Sequence, residues 1–220
     1  MAVNFLDMRK KMLDNQIRTF GVTQYSILSA FLSIPREDFL PLNLRSLAYT
    51  DEHLLLDECD FRFSMAPAPL AKLIQLANIQ KEDCVLDIGS NIGYAAAILG
   101  YISKSVTAIE SEQALVLLAE KNLSPDVYRN VSLVMGALEL GYIKQAPYDV
   151  ILIEGSVDFI PEILFEQMGD GGRLVAVEGQ GNAGKANIYL RKDDAISVQY
   201  CFNLAVKPLP NFLKKDFFTF

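Results

Sequence analysis

Residues 85–94, Val85-Leu-Asp-Ile-Gly-Ser-Asn-Ile-Gly93-Tyr94, decide the fold class of this chain. A short apolar run is followed by two glycines, and residues that favour a helix begin at Tyr94. This order predicts a strand, a tight turn and a helix, with backbone N–H groups of the turn at the carboxyl end of the strand. Ligands of open α/β sheets bind at that position. The stretch therefore predicts both an α/β fold and the place of its ligand site.

Two acidic residues restrict the class of ligand. Asp87 lies two residues before Gly89, and Glu110 ends the next apolar run, close to the spacing of about 20 residues expected for an acid that binds a ribose diol. A dinucleotide needs a Gly-x-Gly-x-x-Gly turn, but Asn91 stands where a middle glycine is expected. A carboxylate at Asp87 would repel a pyrophosphate and favours a ligand with a positively charged end, such as S-adenosylmethionine (SAM). The alternative is an ordinary βα turn, with Glu110 as a surface acid.

Apolar strands and helices alternate after this motif, which predicts a parallel sheet. Strands are expected at 85–88, 106–109, 131–135, 150–153 and 174–177, helices at 94–101, 113–123 and 160–168, and an antiparallel hairpin at 188–191 and 196–203. Residues 1–80 are predicted to form a helical N-terminal segment and a substrate loop, with Thr23 capping one helix and Pro69 opening another. Residues 81–220 are predicted to form the α/β core of the same structural domain.

Composition narrows the function classes. The chain has 220 residues and a formal net charge of −7, which argues against a nucleic-acid partner. No apolar run reaches the ~20 residues of a membrane span, and no secretory signal is visible. Three widely spaced cysteines form no metal pattern and suggest free thiols in a reducing cytoplasm. We expect a cytoplasmic enzyme without a metal or a membrane partner, as a monomer or a homodimer.

Further motifs follow one another in a recognisable order. They are Gln16-Ile17-Arg18, Ile34-Pro35-Arg36-Glu37-Asp38-Phe39, Ala48-Tyr49 with Asp51, residues 85–96, Ala146-Pro147-Tyr148-Asp149, Ile160-Pro161 with Gln167-Met168, and Gly171-Gly172-Arg173-Leu174. Together they resemble the protein-L-isoaspartate O-methyltransferase family over most of the chain. The resemblance implies a Rossmann-like, seven-stranded SAM-dependent methyltransferase fold, mostly parallel, with one antiparallel strand from the C-terminal hairpin.

The same resemblance implies an activity and a set of site residues. Members of the family transfer a methyl group from SAM to the carboxylate of isoaspartyl residues in damaged proteins, so a protein or peptide with isoaspartyl residues is the expected partner. The cofactor is expected to lie against residues near the ends of the first three strands of the core. These residues are Asp87, Gly89, Ser90, Asn91, Gly93, Glu110, Gly136, Ala137 and Leu138.

The chain also departs from the family pattern. Where the family has Gly-Asp-Gly after its third strand, this chain has Gly136-Ala137-Leu138, so the acid that contacts adenine is missing and Glu139 is a candidate replacement. The substrate loop, residues 62–67, keeps a serine, Ser64, but gains a residue before its proline. Glu154 follows the fourth strand, where the family has small apolar residues.

Ser64 and Glu154 are the expected catalytic residues. A carboxylate acceptor is ionised at neutral pH, so it needs a donor such as Ser64 and no strong base. An ionised Glu154 would oppose such an acceptor and would instead favour an amine or a hydroxyl, for which it would act as a general base. Two alternatives to isoaspartyl methylation therefore stay open: a methyltransferase with a different acceptor, and a non-catalytic SAM-binding or regulatory module.

Overall fold

The computed structural model of the chain describes residues 4–56 and 61–214, and its centre is a seven-stranded sheet. The strands of this sheet are β3 (Cys84–Ile88), β4 (Ser105–Glu110), β5 (Val131–Met135), β6 (Tyr148–Val157), β7 (Met168–Glu178), β8 (Lys185–Lys192) and β9 (Ala195–Asn203). Two short strands, β1 (Leu54–Leu55) and β2 (Phe63–Ser64), form a separate antiparallel pair.

The strand order is β5-β4-β3-β6-β7-β8-β9. The first five strands of this order are parallel, and β8 is antiparallel to both of its neighbours. The predicted sheet, mostly parallel with one antiparallel strand from the C-terminal hairpin, is confirmed. The chain continues from β3 to β4 on one side, and β6 pairs on the other side. This reversal makes the carboxyl end of β3 the switch point at which such sheets bind ligands.

Helices cover the sheet and build the N-terminal region. They are α1 (Phe5–Met12), α2 (Tyr25–Ser33), α3 (Arg36–Phe39), α4 (Pro67–Ala77), α5 (Tyr94–Ile102), α6 (Gln113–Asn122) and α7 (Glu162–Glu166). A π-helical turn, Leu13–Ile17, continues α1. Helix α4 packs against β6 and β7, α5 against β3 and β4, and α6 against β4 and β5. No helix in the described ranges is long and apolar enough to cross a membrane.

Alternate strand residues enter two separate hydrophobic clusters, one on each face of the sheet. Val85, Val106 and Val150 join α2, α4 and α5 on the first face. Leu86 and Ile151 pack on the second face, with α7 and the C-terminal residues of the described chain. Because successive strand residues point to opposite faces, a sheet covered on both sides needs strands that are apolar at nearly every position.

Several predicted element ends are wrong, for local reasons. Thr23 does not cap α2; the cap position is Gln24, and the Gln75 side-chain oxygen accepts hydrogen bonds from the N–H groups of both residues. Helix α4 begins at Pro67 rather than Pro69. The helix expected at 160–168 is shorter, because Met168 already pairs with Tyr148 as the first residue of β7.

The C-terminal segment, residues 204–214, lies beside the carboxyl end of β6. The N–H of Ser156 donates to the carbonyl of Lys207, and the N–H of Leu209 donates to the carbonyl of Ser156. Phe212 is buried in a 3₁₀ turn. The segment therefore places Leu209 near the switch point. The remaining C-terminal residues and the acidic stretch 57–60 lie outside the described residues.

Candidate active site

Three carboxylates lie on one face of the sheet at the switch point. Asp87 of β3 pairs with Ala108 of β4 and Leu152 of β6. Glu110 and Glu154 each lie two residues beyond those partners, and side chains two residues apart share a face of a strand. All three acids are therefore directed to the face that carries α4 and α5. We call the space between the Gly89–Gly93 turn, Glu110 and Glu154 the crevice.

The turn from Gly89 to Gly93 has left-handed backbone conformations at three positions. The φ angles are 80° at Gly89, 58° at Asn91 and 85° at Gly93. Asparagine is one of the few other residues that tolerate this region, so Asn91 replaces a glycine without changing the path of the turn. Its side-chain nitrogen donates to the carbonyl of Phe63 at 3.0 Å and joins the turn to β2.

Glu110 is fully buried, so the alternative of a surface acid is wrong. Its carboxylate accepts three backbone N–H groups, from Asn91 at 2.9 Å, Ser111 at 2.8 Å and Glu112 at 3.0 Å. The Arg62 guanidinium adds two parallel hydrogen bonds of 2.6 and 2.5 Å. Such bidentate, charge-assisted pairs are among the strongest hydrogen bonds in proteins. In this conformation Arg62 is hydrogen-bonded to the Glu110 carboxylate, the group that was predicted to bind the ribose.

Arg62 and Leu209 close the crevice. The Leu209 methyl groups lie 3.1 and 3.2 Å from the place where a Cβ on Gly89 would be. The cavity lined by Ser64, Ser90 and Glu154 has a volume of only about 10 Å³. Such a volume holds about one water molecule. Two larger concavities, of about 450 and 530 Å³, lie elsewhere, one beside the β8–β9 hairpin and α7 and the other beside α5.

Asp87 and Glu154 form an acid pair in which Asp87 is fully buried and Glu154 is half-buried, with its Oε1 enclosed. Both carboxylate oxygens of Asp87 and Oε1 of Glu154 lack a hydrogen-bond donor among the described residues. If one of the two carboxyls is protonated, it can donate a hydrogen bond to the other. Burial is the largest cause that raises the pKa of Asp87, to about 7. Burial and then the charge of Asp87 raise the pKa of Glu154 well above its ordinary value. Both shifts favour a proton held by the pair.

The structure brings the two expected catalytic residues together. Ser64, at the end of β2, and Glu154 both line the small cavity. Ser64 is buried, and its Oγ accepts a hydrogen bond of 3.1 Å from Nη2 of Arg36. Ser90 lines the same cavity, and its hydroxyl has no partner among the described residues.

The three residues after β5 lie farther from this cavity. Gly136 donates its N–H to the carbonyl of Glu110 at 3.0 Å. Ala137 is exposed, whereas Leu138 is buried in the second hydrophobic cluster. Oε2 of Glu139 is buried without a described partner, so Glu139 has a free acceptor where the family acid is missing. The cofactor roles of these residues stay predictions.

Sequence reasoning missed the pairing of Arg62 with Glu110 and the contributions of Leu209 and Arg36. Arg62 is visible in the sequence as a single arginine between acidic and aromatic residues, and Arg36 belongs to the motif of residues 34–39. Neither feature names a partner, because the contacts join residues that are far apart in sequence. Leu209 carries no local signal. No cluster of three or more metal-ligating side chains is present in the described part of the chain.

Known proteins resemble this chain in sequence and in fold. A family model described as Protein-L-isoaspartate(D-aspartate) O-methyltransferase (PCMT) matches residues 7–211. Proteins named protein-L-isoaspartate O-methyltransferase are similar in sequence: one from Koribacter versatilis is 36% identical over 171 residues, covering 78% of this chain and 76% of that protein. One from Shewanella sediminis, with the suffix 2, is 32% identical over 213 residues, covering 96% of this chain and 86% of that protein.

Solved structures show the same fold. A protein-L-isoaspartate O-methyltransferase superimposes with a TM-score of 0.78 and 28% identity over 91% of this chain, which spans 65% of that protein's chain. A Plasmodium falciparum protein described as a β-aspartate methyltransferase, solved with S-adenosyl-L-homocysteine (SAH), superimposes with a TM-score of 0.77 over 94% of this chain and 99% of that one. At 17% identity the latter shows the fold alone. The chain belongs to the protein-L-isoaspartate(D-aspartate) O-methyltransferase family.

Proposed function

We propose that this chain is a SAM-dependent O-methyltransferase that esterifies the carboxylate of isoaspartyl residues in proteins or peptides. The observation that carries the proposal is the meeting of Ser64, Glu154 and the Gly89–Gly93 turn at the switch point of a sheet whose chain belongs to this family. Fold alone does not assign an activity. The proposal is therefore supported by family membership together with the positions of these polar groups.

The polar groups of the crevice fit SAM. Glu110 at the end of β4 is placed for the ribose hydroxyls, and the unpartnered oxygens of Asp87 suit the cationic methionine end. The unpartnered hydroxyl of Ser90 offers a further contact. The crevice is too small for SAM in this conformation, so SAM can bind only if Arg62 and Leu209 move. When bound, SAM supplies a methyl group whose bond to the sulfonium sulfur breaks as the bond to the acceptor oxygen forms, with the electron pair left on sulfur.

The acid pair explains how a carboxylate acceptor can approach. An ionised Glu154 beside the acceptor would repel it. The raised pKa of Glu154 favours its protonated, uncharged form, and in that form the carboxyl can donate its hydrogen bond to the acceptor oxygen in place of Asp87. Ser64 offers a hydroxyl from the same cavity wall. Both residues then orient the acceptor oxygen toward the methyl group, and no base is needed.

A different acceptor is the second candidate, favoured by the presence of Glu154 where small apolar residues were expected. An amine or hydroxyl acceptor must lose a proton, and Glu154 would have to take it. The raised pKa makes the ionised form of Glu154 a stronger base, but it also increases the protonated fraction, which cannot accept a proton. The pH of the assay therefore matters. Glu154→Gln separates the two readings, because glutamine keeps the shape and donates a hydrogen bond but cannot accept a proton.

The test measures transfer of a labelled methyl group from SAM to an isoaspartyl peptide, a hydroxyl and an amine acceptor. With the isoaspartyl peptide, Glu154→Gln should retain or raise the rate, whereas Ser64→Ala should lower it by about tenfold, the loss of one hydrogen bond to a charged group. Ser132→Ala, on an exposed edge-strand position, is the matched control. If the wild type methylates the amine or the hydroxyl acceptor and Glu154→Gln loses that transfer, the result would support an amine or hydroxyl acceptor with Glu154 as the base. SAM binding without any transfer would support a non-catalytic module.

We also propose a cytoplasmic location and a monomeric or homodimeric state. Cys84 and Cys201 are free thiols, which suits a reducing compartment. The third cysteine, Cys59, lies outside the described residues. The net charge of −7 disfavours a nucleic-acid partner. Size-exclusion chromatography with light scattering distinguishes a monomer from a homodimer.

A further inference from the structure

Arg36 is a fully buried arginine without an ion-pair partner among the described residues. It begins α3 directly after Pro35. Its Nε and Nη1 have no hydrogen-bond partner in that part of the chain, and its Nη2 donates to Oγ of Ser64. The ring of Tyr94 lies under the guanidinium, 5.6 Å from the central carbon.

Stability alone does not explain this arginine. Burying a charge without a paired acid is unfavourable, and a cation over an aromatic ring offsets only part of that loss. Buried charges can often be replaced by apolar residues of similar volume without loss of stability. Glu37, the acid next in sequence, is already paired with Arg9 at 2.8 Å. The positive charge at Arg36 therefore remains available for an anion that is not part of the described chain.

The hydrogen bond to Ser64 has a defined direction. A guanidinium has only donors, so Oγ of Ser64 must accept, and the Ser64 hydroxyl proton must be directed elsewhere. Ser64 lines the small cavity together with Ser90, Asn91 and Glu154. The hydroxyl is thus fixed as a donor, with a positive charge 3.1 Å behind its oxygen. A donor polarised in this way binds an anion more strongly than an isolated hydroxyl does.

We propose that Arg36 is a positioning residue for the acceptor carboxylate, which it serves by holding Ser64 as a hydrogen-bond donor and by placing a positive charge behind it. The proposal rests on the proposed function, because it takes the isoaspartyl carboxylate as the anion. It adds that recognition of the acceptor depends on a residue of α3 that does not line the cavity itself.

The test is a double-mutant cycle between Arg36→Met and Ser64→Ala. Methionine replaces the charge with an apolar side chain of similar length. Two quantities are measured: kcat/KM for an isoaspartyl peptide, and the Kd of that peptide in the presence of SAH. If Arg36 acts through Ser64, each single change should weaken both quantities by about tenfold or more. The double variant should be no worse than Ser64→Ala by more than about twofold, because residues that act as a unit are not additive.

Arg9→Met is the matched control, since Arg9 is another largely buried arginine of the N-terminal region and contacts Glu37 and Tyr49 instead of Ser64. Its effect should multiply with that of Ser64→Ala. Arg36→Lys keeps the charge and should retain part of the peptide affinity, and it replaces Arg36→Met in the cycle if the methionine variant does not fold.

Independent, multiplying losses in the Arg36 and Ser64 variants would overturn the proposal, as would unchanged peptide affinity in a folded Arg36 variant. A wild-type protein that binds the isoaspartyl peptide through Arg36 and Ser64 but transfers no methyl group would contradict the proposed activity and leave the positioning role intact. Absence of peptide binding in the wild type would contradict both.

Discussion

At the scale of single residues, the Glu110–Arg62 pair controls access to the crevice. Both side chains are almost completely buried, and Glu110 receives five hydrogen bonds of 3.0 Å or less. Breaking a buried ion pair by removing one partner typically costs about 3–5 kcal/mol. A cofactor that used Glu110 would have to displace Arg62 first, so its apparent affinity would be the intrinsic affinity multiplied by the fraction of molecules that are open.

Arg62→Gln should therefore bind SAH more tightly, by about tenfold, while the free energy of unfolding without ligand falls by about 3 kcal/mol. Calorimetric titration and urea unfolding measure the two effects. Arg173→Gln is the control, because Arg173 pairs with Asp83 away from the crevice and its loss should not change SAH affinity. Weaker SAH binding in a folded Arg62→Gln variant would mean that Arg62 contacts the cofactor directly.

The Asp87–Glu154 pair makes stability depend on pH. Folding raises the pKa of both carboxyls, so the native state holds more protons than the unfolded state from about pH 4 up to the raised pKa of each group, which is about 7 for Asp87. Stability from these groups is fully present below about pH 4 and is lost as the pH rises toward 7. The slope is at most about 1.4 kcal/mol per pH unit for each proton.

Glu154→Gln should remove the part of this slope that comes from Glu154, whereas Asp87, whose pKa is raised mainly by its own burial, keeps its part. The variant should therefore gain stability relative to the wild type as the pH rises from about 5 toward 7. Urea unfolding at several pH values measures the difference. Glu162→Gln, at an exposed position of α7, should leave the curve nearly unchanged. Parallel wild-type and Glu154→Gln curves would show that the two carboxyls do not share a proton in the folded protein.

The sequence predicts the residue types of the site better than their contacts. The place of Glu110 at a strand end follows from the pattern of apolar residues, and it is observed. Its pairing with Arg62 does not follow, because 48 positions separate the two residues and the connecting loop departs from the family pattern. The same applies to Arg36 and Ser64, which lie 28 positions apart.

At the scale of elements, the Gly89–Gly93 turn and α5 depend on close packing of α6. A Cβ on Gly93 would lie 2.7 Å from Cδ1 of Leu123, the C-cap residue of α6, and the backbone of Gly93 is left-handed. The position therefore needs glycine for two reasons, backbone conformation and space. Gly171 shares the left-handed backbone, with a φ of 73°, but has nothing within 4 Å of the same point.

Gly93→Ala should lower the free energy of unfolding by about 1–3 kcal/mol more than Gly171→Ala does. Both variants carry the left-handed strain of about 1–2 kcal/mol, so the difference measures the contact with Leu123. Urea unfolding of the two variants gives this difference. Equal losses would show that Leu123 moves aside without cost.

Element positions were predictable where the apolar pattern is unambiguous, as for β3 and α5. Strand β6 extends past Gly155 and Ser156, which are not typical strand formers, because the C-terminal segment bonds to the backbone of Ser156. A Cβ at Gly155 would lie 2.9 Å from Cβ of Leu209, so the glycine permits this approach. Such support from a distant segment leaves no trace in the local sequence.

At the scale of the whole molecule, alternating strands and helices fix a parallel sheet, and the sheet order then fixes where a ligand binds. That much was predictable from the chain alone. Two segments that are distant in sequence then meet over the crevice. Arg62 comes from the segment that ends in β2, and Leu209 comes from the C-terminal segment. Their meeting depends on tertiary packing, and it closes the crevice in this structure.

The most direct measurement of the central claim is methyl transfer to one peptide in two isomeric forms, with an isoaspartyl or an ordinary aspartyl residue. The wild-type protein, incubated with SAM, should form a methyl ester on the isoaspartyl form and an equal amount of SAH, and should leave the aspartyl form unmodified. Mass spectrometry follows the ester and the SAH together. An equal rate on both forms, or no ester on the isoaspartyl form while SAM is bound, would contradict the account.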